Sequence, residues 1–291
     1  YTGQIEALER VATIRPSDDS ARFSMGLAYG MNGNPDRART ELLAVGEGPR
    51  KADALAALGF LAALRGDSQT AAARLQEALS NGKPSLASEA NVLLGRAKLR
   101  EGAYAEAQGY LEQAVTADPN DRQALYLRGL SLQARGRFQD ALADFERLTS
   151  EPGPFAAEAG VQAADVHLTL NAPDRARRAL DDAGRAGSRS AAYYTVAGRL
   201  SLASEDDEGA LISFDNAIRT DPDYASAYLE RGLVYIQRES IAQGLADLDR
   251  FLQLVGEGAR GSRIGEVRAL AEQLRQAGSG PEGRRQTEAR I

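Results

Sequence analysis

DPNDRQALYLRGLSL at residues 118–132 returns as DPDYASAYLERGLVY at residues 221–235. Both stretches open on Asp-Pro, set an aromatic residue in an apolar run and carry Arg-Gly-Leu at the same offset. Their separation is three steps of a shorter period. Small residues stand at Gly26, Gly59, Gly95, Gly129, Ala164, Gly198 and Gly232, at intervals of 33, 36, 34, 35, 34 and 34. Twelve positions after each comes Ala38, Ala71, Ala107, Ala141, Ala176, Ala210 and then Gly244, and four further on Leu42, Leu75, Leu111, Phe145, Leu180, Phe214 and Leu248. A fixed period near 34 residues is the mark of a repeat architecture.

Each unit therefore has two small positions and one large one. Where helices cross closely a large side chain cannot fit, so Gly or Ala marks the contact and the bulky residue fills the adjacent hole. In residues 122–148, Leu125, Leu130 and Leu132 mark a first helix, Ala-Arg-Gly-Arg turns the chain, and Ala141, Leu142, Phe145 and Leu148 mark a second. Asp118-Pro119 and Asp221-Pro222 interrupt the helical pattern and begin the next unit, because proline lacks the amide hydrogen and disfavours helix at the residue before it. Neither helix of a pair can bury its stripe alone, so successive pairs must stack.

These residues resemble the tetratricopeptide repeat. GLAY at 26–29, AYLERGLVY at 227–235, GALISFDNAIRTDP at 209–222 and AYAEAQGYLEQAVTADP at 103–119 carry the likeness, and seven units in phase extend it over nearly the whole chain. The pattern departs at Leu55, Asn91 and Leu125, where the family usually has an aromatic residue; the closing proline is displaced in several units, and Ser188 replaces it in another. The resemblance implies an all-α fold, a right-handed α-solenoid of tandem helix-turn-helix units. Residues 1–277 read as that solenoid, about seven repeats after an N-terminal half repeat. Residues 3–15 look like a second helix without its first, with Ile5, Leu8, Val11 and Ile14 on one face and Pro16 ending it, which implies further sequence upstream. At the other end, residues 262–277 read as a capping helix started by Ser262. Ile264, Val267, Leu270 and Leu274 lie on one side, and Arg268, Glu272, Arg275 and Gln276 on the other. Residues 278–291, rich in Gly and charge, read as a flexible tail.

Composition narrows the function. Of the 291 residues 43% are apolar, mostly Leu and Ala, and 6% are aromatic with no Trp, a mix suited to close helix packing. A net charge of −6 without a basic run sets the molecule against phosphate backbones, so nucleic acid is not the expected partner. Cys is absent, which rules out thiolate catalysis, disulfides and Cys-ligated metal. No stretch reaches the roughly 18 consecutive apolar residues of a membrane span.

Catalytic motifs do not assemble, and none implies a cofactor. GEGARG at 256–261 fits G-x-G-x-x-G in spelling but follows a helix instead of a strand, so it reads as an inter-repeat turn. His167, the single histidine, has no nucleophile motif beside it and reads as a packing or partly exposed structural residue. SEDDEG at 204–209 lacks the ligand spacing of an EF-hand and reads as a solvated turn that places negative charge at the next helix start.

In tetratricopeptide proteins the first helices line a concave face that receives a peptide or a helix. By register this face would present Phe23, Leu27, Phe60, Arg96, Leu99, Arg100, Tyr126, Leu130, Asp165, Arg199, Leu229, Leu233 and Ile236. Phe23, Ala56, Val92 and Tyr126 occupy the position where a carboxylate-clamp version of the family has its first Lys, so no such clamp is expected. Arg96, Arg100 and Arg199 are instead expected to meet acidic side chains. The resulting expectation is a noncatalytic scaffold for a protein or peptide partner. The Arg-rich, Ala-rich composition suggests a bacterial source, cytoplasmic or periplasmic, and the resemblance implies envelope assembly or export as a setting, since similar repeats are used there. The alternatives are a regulatory or docking arm of a larger enzyme, and self-assembly through the end faces.

Overall fold

A computed structural model describes residues 2–15, 17–82, 84–256 and 262–278. Its elements are all helices: α1 (Thr2–Ile14), α2 (Asp19–Met31), α3 (Pro35–Leu43), α4 (Lys51–Leu64), α5 (Ser68–Ser80), α6 (Ala87–Arg100), α7 (Tyr104–Ala117), α8 (Arg122–Ala134), α9 (Phe138–Thr149), α10 (Ala156–Thr169), α11 (Pro173–Arg185), α12 (Ala191–Leu202), α13 (Asp207–Thr220), α14 (Ala225–Gln237), α15 (Ile241–Val255) and α16 (Ser262–Gly278). The chain forms two compact units, one up to Asp144 and one from Phe145. In the first, α2 pairs with α3, α4 with α5 and α6 with α7; in the second, α10 pairs with α11, α12 with α13 and α14 with α15.

Local chemistry sets the helix ends. Asp18, Asn34, Asp67, Asp121, Ser190 and Asp206 each cap the helix that follows by accepting backbone N–H groups left without an intrahelical partner. Between the two helices of every unit the chain passes through one left-handed residue: Gly33, Gly66, Gly102 and Gly136, then Asn171, Glu205 and Glu239. The next N–H reaches back to a carbonyl five residues earlier, as from Asn34 to Tyr29 (2.9 Å) and from Ser240 to Tyr235 (2.8 Å). This Schellman closure turns the chain sharply enough for the second helix to fold back on the first. Glycine adopts the conformation without strain, whereas Asn171, Glu205 and Glu239 hold it against their own Cβ.

The alternation of small and large positions is the packing itself. A Cβ built on Gly26 would lie 2.5 Å from Leu42 Cγ, one on Gly59 2.7 Å from Leu75 Cγ, one on Gly95 2.5 Å from Leu111 Cγ and one on Gly198 2.5 Å from Phe214 Cε1. Leu42, Leu75, Leu111, Phe145, Phe214 and Leu248 are at most 2% exposed. In the unit with Ala164 at the small position, Leu180 is the large residue and both belong to one buried cluster.

The ends differ from each other. Of the apolar residues expected on one face of α1, Leu8 packs against the Met25, Ala28, Tyr29 and Ala38 cluster, but Val11 is 40% and Ile14 78% exposed. A helix whose only neighbour among the described residues is α2 can bury one narrow stripe, not the broad face that periodicity suggests. The side chain of Ile5 and Pro16 lie outside the described residues. On α16, Val267 and Ala271 are buried in a cluster with Leu229, Leu248 and Phe251, flanked by Ile264, Leu270 and Leu274, so this helix covers the last repeat. Arg275 pairs with Asp249 and Arg263 with Glu230 (3.1 Å), tying it from the polar side. The Ser262 side chain and residues 279–291 lie outside the described residues.

Candidate partner-binding face

First helices neighbour one another within each unit: α2, α4, α6 and α8 in one, α10, α12 and α14 in the other. The residue after each small position forms a row across them. In the first unit it reads Leu27, Phe60, Arg96, Leu130 and in the second Asp165, Arg199, Leu233, every one at least partly exposed. The residue one turn earlier behaves differently. Ala56, Val92, Val161, Thr195 and Leu229 are at most 5% exposed, and only Phe23 and Tyr126 remain half-buried at this register. Leu229 therefore belongs to the core beneath α16 and not to the face, because Val267 and Ala271 of that helix pack with it. Ile236 is half-buried, and its Cγ1 fills the space above Gly244, within one repeat. Leu233 packs on the cluster shared with α16. Leu99 is half-buried.

One turn after the row come Met31, Leu64 and Arg100, residues of which the sequence reading included only Arg100. Met31 is 63% and Leu64 85% exposed, and Leu27 beside them is 39% exposed. Exposed large apolar side chains in register on adjacent helices are the usual mark of a contact surface. Their period was visible in the sequence; their exposure was not. Phe23 is held by Arg50, whose guanidinium lies 5.4 Å from the ring centroid.

The charges are used unevenly. Arg199 bonds Asp165 across from α12 to α10, so the row in the second unit neutralises itself. Tyr224, close to this pair, has its hydroxyl pKa raised, first by burial and then by the Asp165 charge. Arg96, half-buried, and Arg100, exposed, have no hydrogen-bond or ion-pair partner among the described residues.

The repeated Arg-Gly-Leu has a second meaning that spacing alone did not reveal. Arg128 makes two bonds to Asp144, at 2.8 and 2.6 Å, and Arg231 makes two to Asp247, at 2.8 and 2.7 Å. In both cases the acid stands sixteen positions on, directly before the large core residue. Asp144 and Asp247 are 4% and 6% exposed. Arg231 also reaches Asp215 (2.6 Å) from the preceding repeat and lies over the rings of Tyr228 and Tyr235. The hydrogen bonds from Arg128 and Arg231 to these carboxylates raise both guanidinium pKa values above the ordinary one, against the opposing effect of burial. Forked guanidinium–carboxylate pairs fix geometry as well as charge, so these arginines lock first helix to second and do not serve the face.

His167 is 7% exposed in α10; burial lowers its pKa, Glu146 opposes this, and Arg175 and Arg178 add to it. SEDDEG forms a turn in which Asp206 caps α13 and Asp207 and Glu208 occupy its first turn. Among the described residues no group of three potential metal ligands converges, and no helix is long and apolar enough to cross a membrane. Of GEGARG only Gly256 is described, in a left-handed conformation after α15; the remainder lies outside the described residues. A cleft of about 130 Å³ lined by Arg39, Leu43, Leu58, Arg65 and Arg74 lies off the face, and it is well below the roughly 300–1,000 Å³ of small-ligand pockets.

Comparison with known proteins bears on this arrangement. A family model described as the tetratricopeptide repeat matches residues 23–85, 57–122, 92–157 and 126–191. A repeat-containing protein of Methanocaldococcus jannaschii is 39% identical over 61 residues, 21% of this chain and 18% of the relative. The chain thus spans less than a fifth of that relative's length. The crystal structure of a tetratricopeptide repeat protein from Parabacteroides merdae superposes with a TM-score of 0.66 at 17% identity, covering 87% of this chain and 98% of the other. Pseudomonas aeruginosa pilF gives a TM-score of 0.54 at 21% identity, covering 76% and 96%. Both likenesses concern the fold.

Proposed function

Because this chain belongs to the tetratricopeptide repeat family, whose members bind protein partners, we propose that it is a noncatalytic scaffold that receives a segment of a partner protein on its first helices. The observation that carries this reading is the row of Leu27, Phe60, Arg96 and Leu130 with Met31, Leu64 and Arg100 beside it: apolar side chains at least partly exposed, next to cations without a partner among the described residues, on neighbouring helices. Such a surface loses ordered water when covered and offers directional charge for specificity. Tyr126 and Phe23 extend it as half-buried aromatic side chains, the residue type that anchors interfaces at low entropic cost. The bacterial source we infer is drawn from the Arg-rich, Ala-rich composition, and a role in envelope assembly or export, in the cytoplasm or periplasm, from the use of similar repeats there.

Affinity capture from the source organism with the wild-type chain and a Tyr126→Ala, Arg96→Glu, Arg100→Glu variant tests the reading, with circular dichroism to verify that the variant folds. A reproducible partner retained by the wild type and lost by the folded variant supports it. Equal recovery moves binding off this face. For the setting, an export signal upstream in the gene would favour the periplasm.

A further inference from the structure

Arg96 and Arg100 stand one turn apart on α6 with their charge unmet by any described residue. Their counterparts on the flanking first helices offer no acid: Phe60 and Leu130 beside Arg96, Leu64 and Ala134 beside Arg100. A half-buried guanidinium loses part of its hydration, which a carboxylate restores better than water does. The second unit shows within the same chain what an arginine at this register takes. Arg199 is in register with Arg96, and its neighbour in the row is Asp165, to which it is bonded. In the first unit that neighbour is Phe60, and the carboxylate must come from elsewhere.

Resting on the face proposed above, we propose that the first unit binds an acidic-and-apolar protein segment: a carboxylate gripped by Arg96 and Arg100, and a large apolar side chain seated on Leu27, Met31, Phe60 and Leu64. Packed helix axes lie roughly 8–10 Å apart, and an extended segment advances ~3.3 Å per residue, so acid and apolar anchor stand about three positions apart. The pairing is specific because the same patch repels a basic segment and leaves a wholly apolar one facing two uncompensated cations. The second unit, with Arg199 already neutralised, does not contribute to this acid recognition.

The full chain is used as bait for a random-peptide phage library, and the enriched peptides are synthesised with a fluorescent label for anisotropy titration. Asp or Glu about three positions from a large apolar residue is the expected consensus. Arg96→Glu/Arg100→Glu should weaken binding by about tenfold or more, the scale of one charge-assisted contact. A peptide with Lys in place of its acid should regain affinity for that reversed variant, which a merely misfolded variant could not provide. Enriched peptides without an acid, or with unchanged affinity for the reversed variant, overturn the charge assignment. If such peptides still lose affinity for a Leu27→Glu/Leu64→Glu variant, the face reading stands and only the acid recognition falls. If neither variant matters, or no peptide is enriched, both fall.

Discussion

Replacing Gly198 by Ala adds one methyl group where α12 crosses α13. In an open helix this change stabilises by about 1 kcal/mol, because Ala restricts the unfolded chain and Gly does not. At Gly198 the new Cβ would meet Phe214 Cε1 at 2.5 Å, Cδ1 at 2.8 Å and Cζ at 2.8 Å. A methyl carbon and an aromatic carbon rest near 3.5–4.0 Å, so about an ångström must be found. The ring is rigid and Phe214 is fully buried, so the two helices must part or the ring must leave its rotamer. Overpacking of this kind costs about 1–3 kcal/mol, so against that gain the expected net loss is up to roughly 2 kcal/mol. Gly109 is the internal control: it is exposed in α7, a Cβ there meets nothing within 4 Å, and Gly109→Ala should stabilise by about 1 kcal/mol. Urea unfolding of both variants, followed by far-UV circular dichroism with the slope checked for constancy, reads the difference. A Phe214→Leu change in the Gly198→Ala background should cost less than in the wild type, as a double-mutant cycle reports for residues in contact. If Gly198→Ala stabilises as much as Gly109→Ala, close helix crossing is not what places glycine at these positions.

Three other outcomes follow from particular contacts. Asp144→Ala strips Arg128 of its forked partner in a largely buried setting and should cost about 2–4 kcal/mol in denaturant unfolding, whereas Asp247→Ala should cost less because Arg231 keeps Asp215. Glu205→Gly removes a Cβ from a residue at φ 58° and should raise the unfolding free energy slightly, by up to about 1 kcal/mol, while Gly102→Ala at φ 74° should lower it by a similar amount, read from denaturant unfolding. Burial depresses the folded-state pKa of His167 below its ordinary 6.5, so the unfolded chain binds the extra proton first. Its contribution is fully present above pH 6.5 and is lost as pH falls through the lower folded value. A His167→Gln variant should flatten the stability–pH curve there, and an unchanged curve would count against the assignment.

The candidate face was legible only in part. Leu27, Phe60, Arg96 and Leu130 fell on the row because they follow the small residue of each repeat, and that register is read directly from the chain. Leu229, one turn before that row at the register of Phe23 and Tyr126, proved to be core, because α16 packs over it. Met31 and Leu64 were passed over because an apolar residue late in a helix reads as core, and nothing local tells that no partner covers it. Arg199 carried the same expectation as Arg96 until its bond to Asp165, 34 residues earlier, separated them.

The sequence by itself determined the helix-turn-helix period, the pairing of small with large positions and the family, because these depend on spacings of a few residues and on the bulk of single side chains. Tertiary structure alone decided which arginines are spent on holding the repeats and which remain open. Arg128 and Arg231 are locked to acids sixteen positions away, Arg199 to one in the preceding repeat, and Arg96 and Arg100 to none among the described residues. A charge carries no record of its partner in its own neighbourhood of the chain. That partner is chosen only when stacking brings distant helices to hydrogen-bonding distance, where loss of water makes the choice energetically decisive.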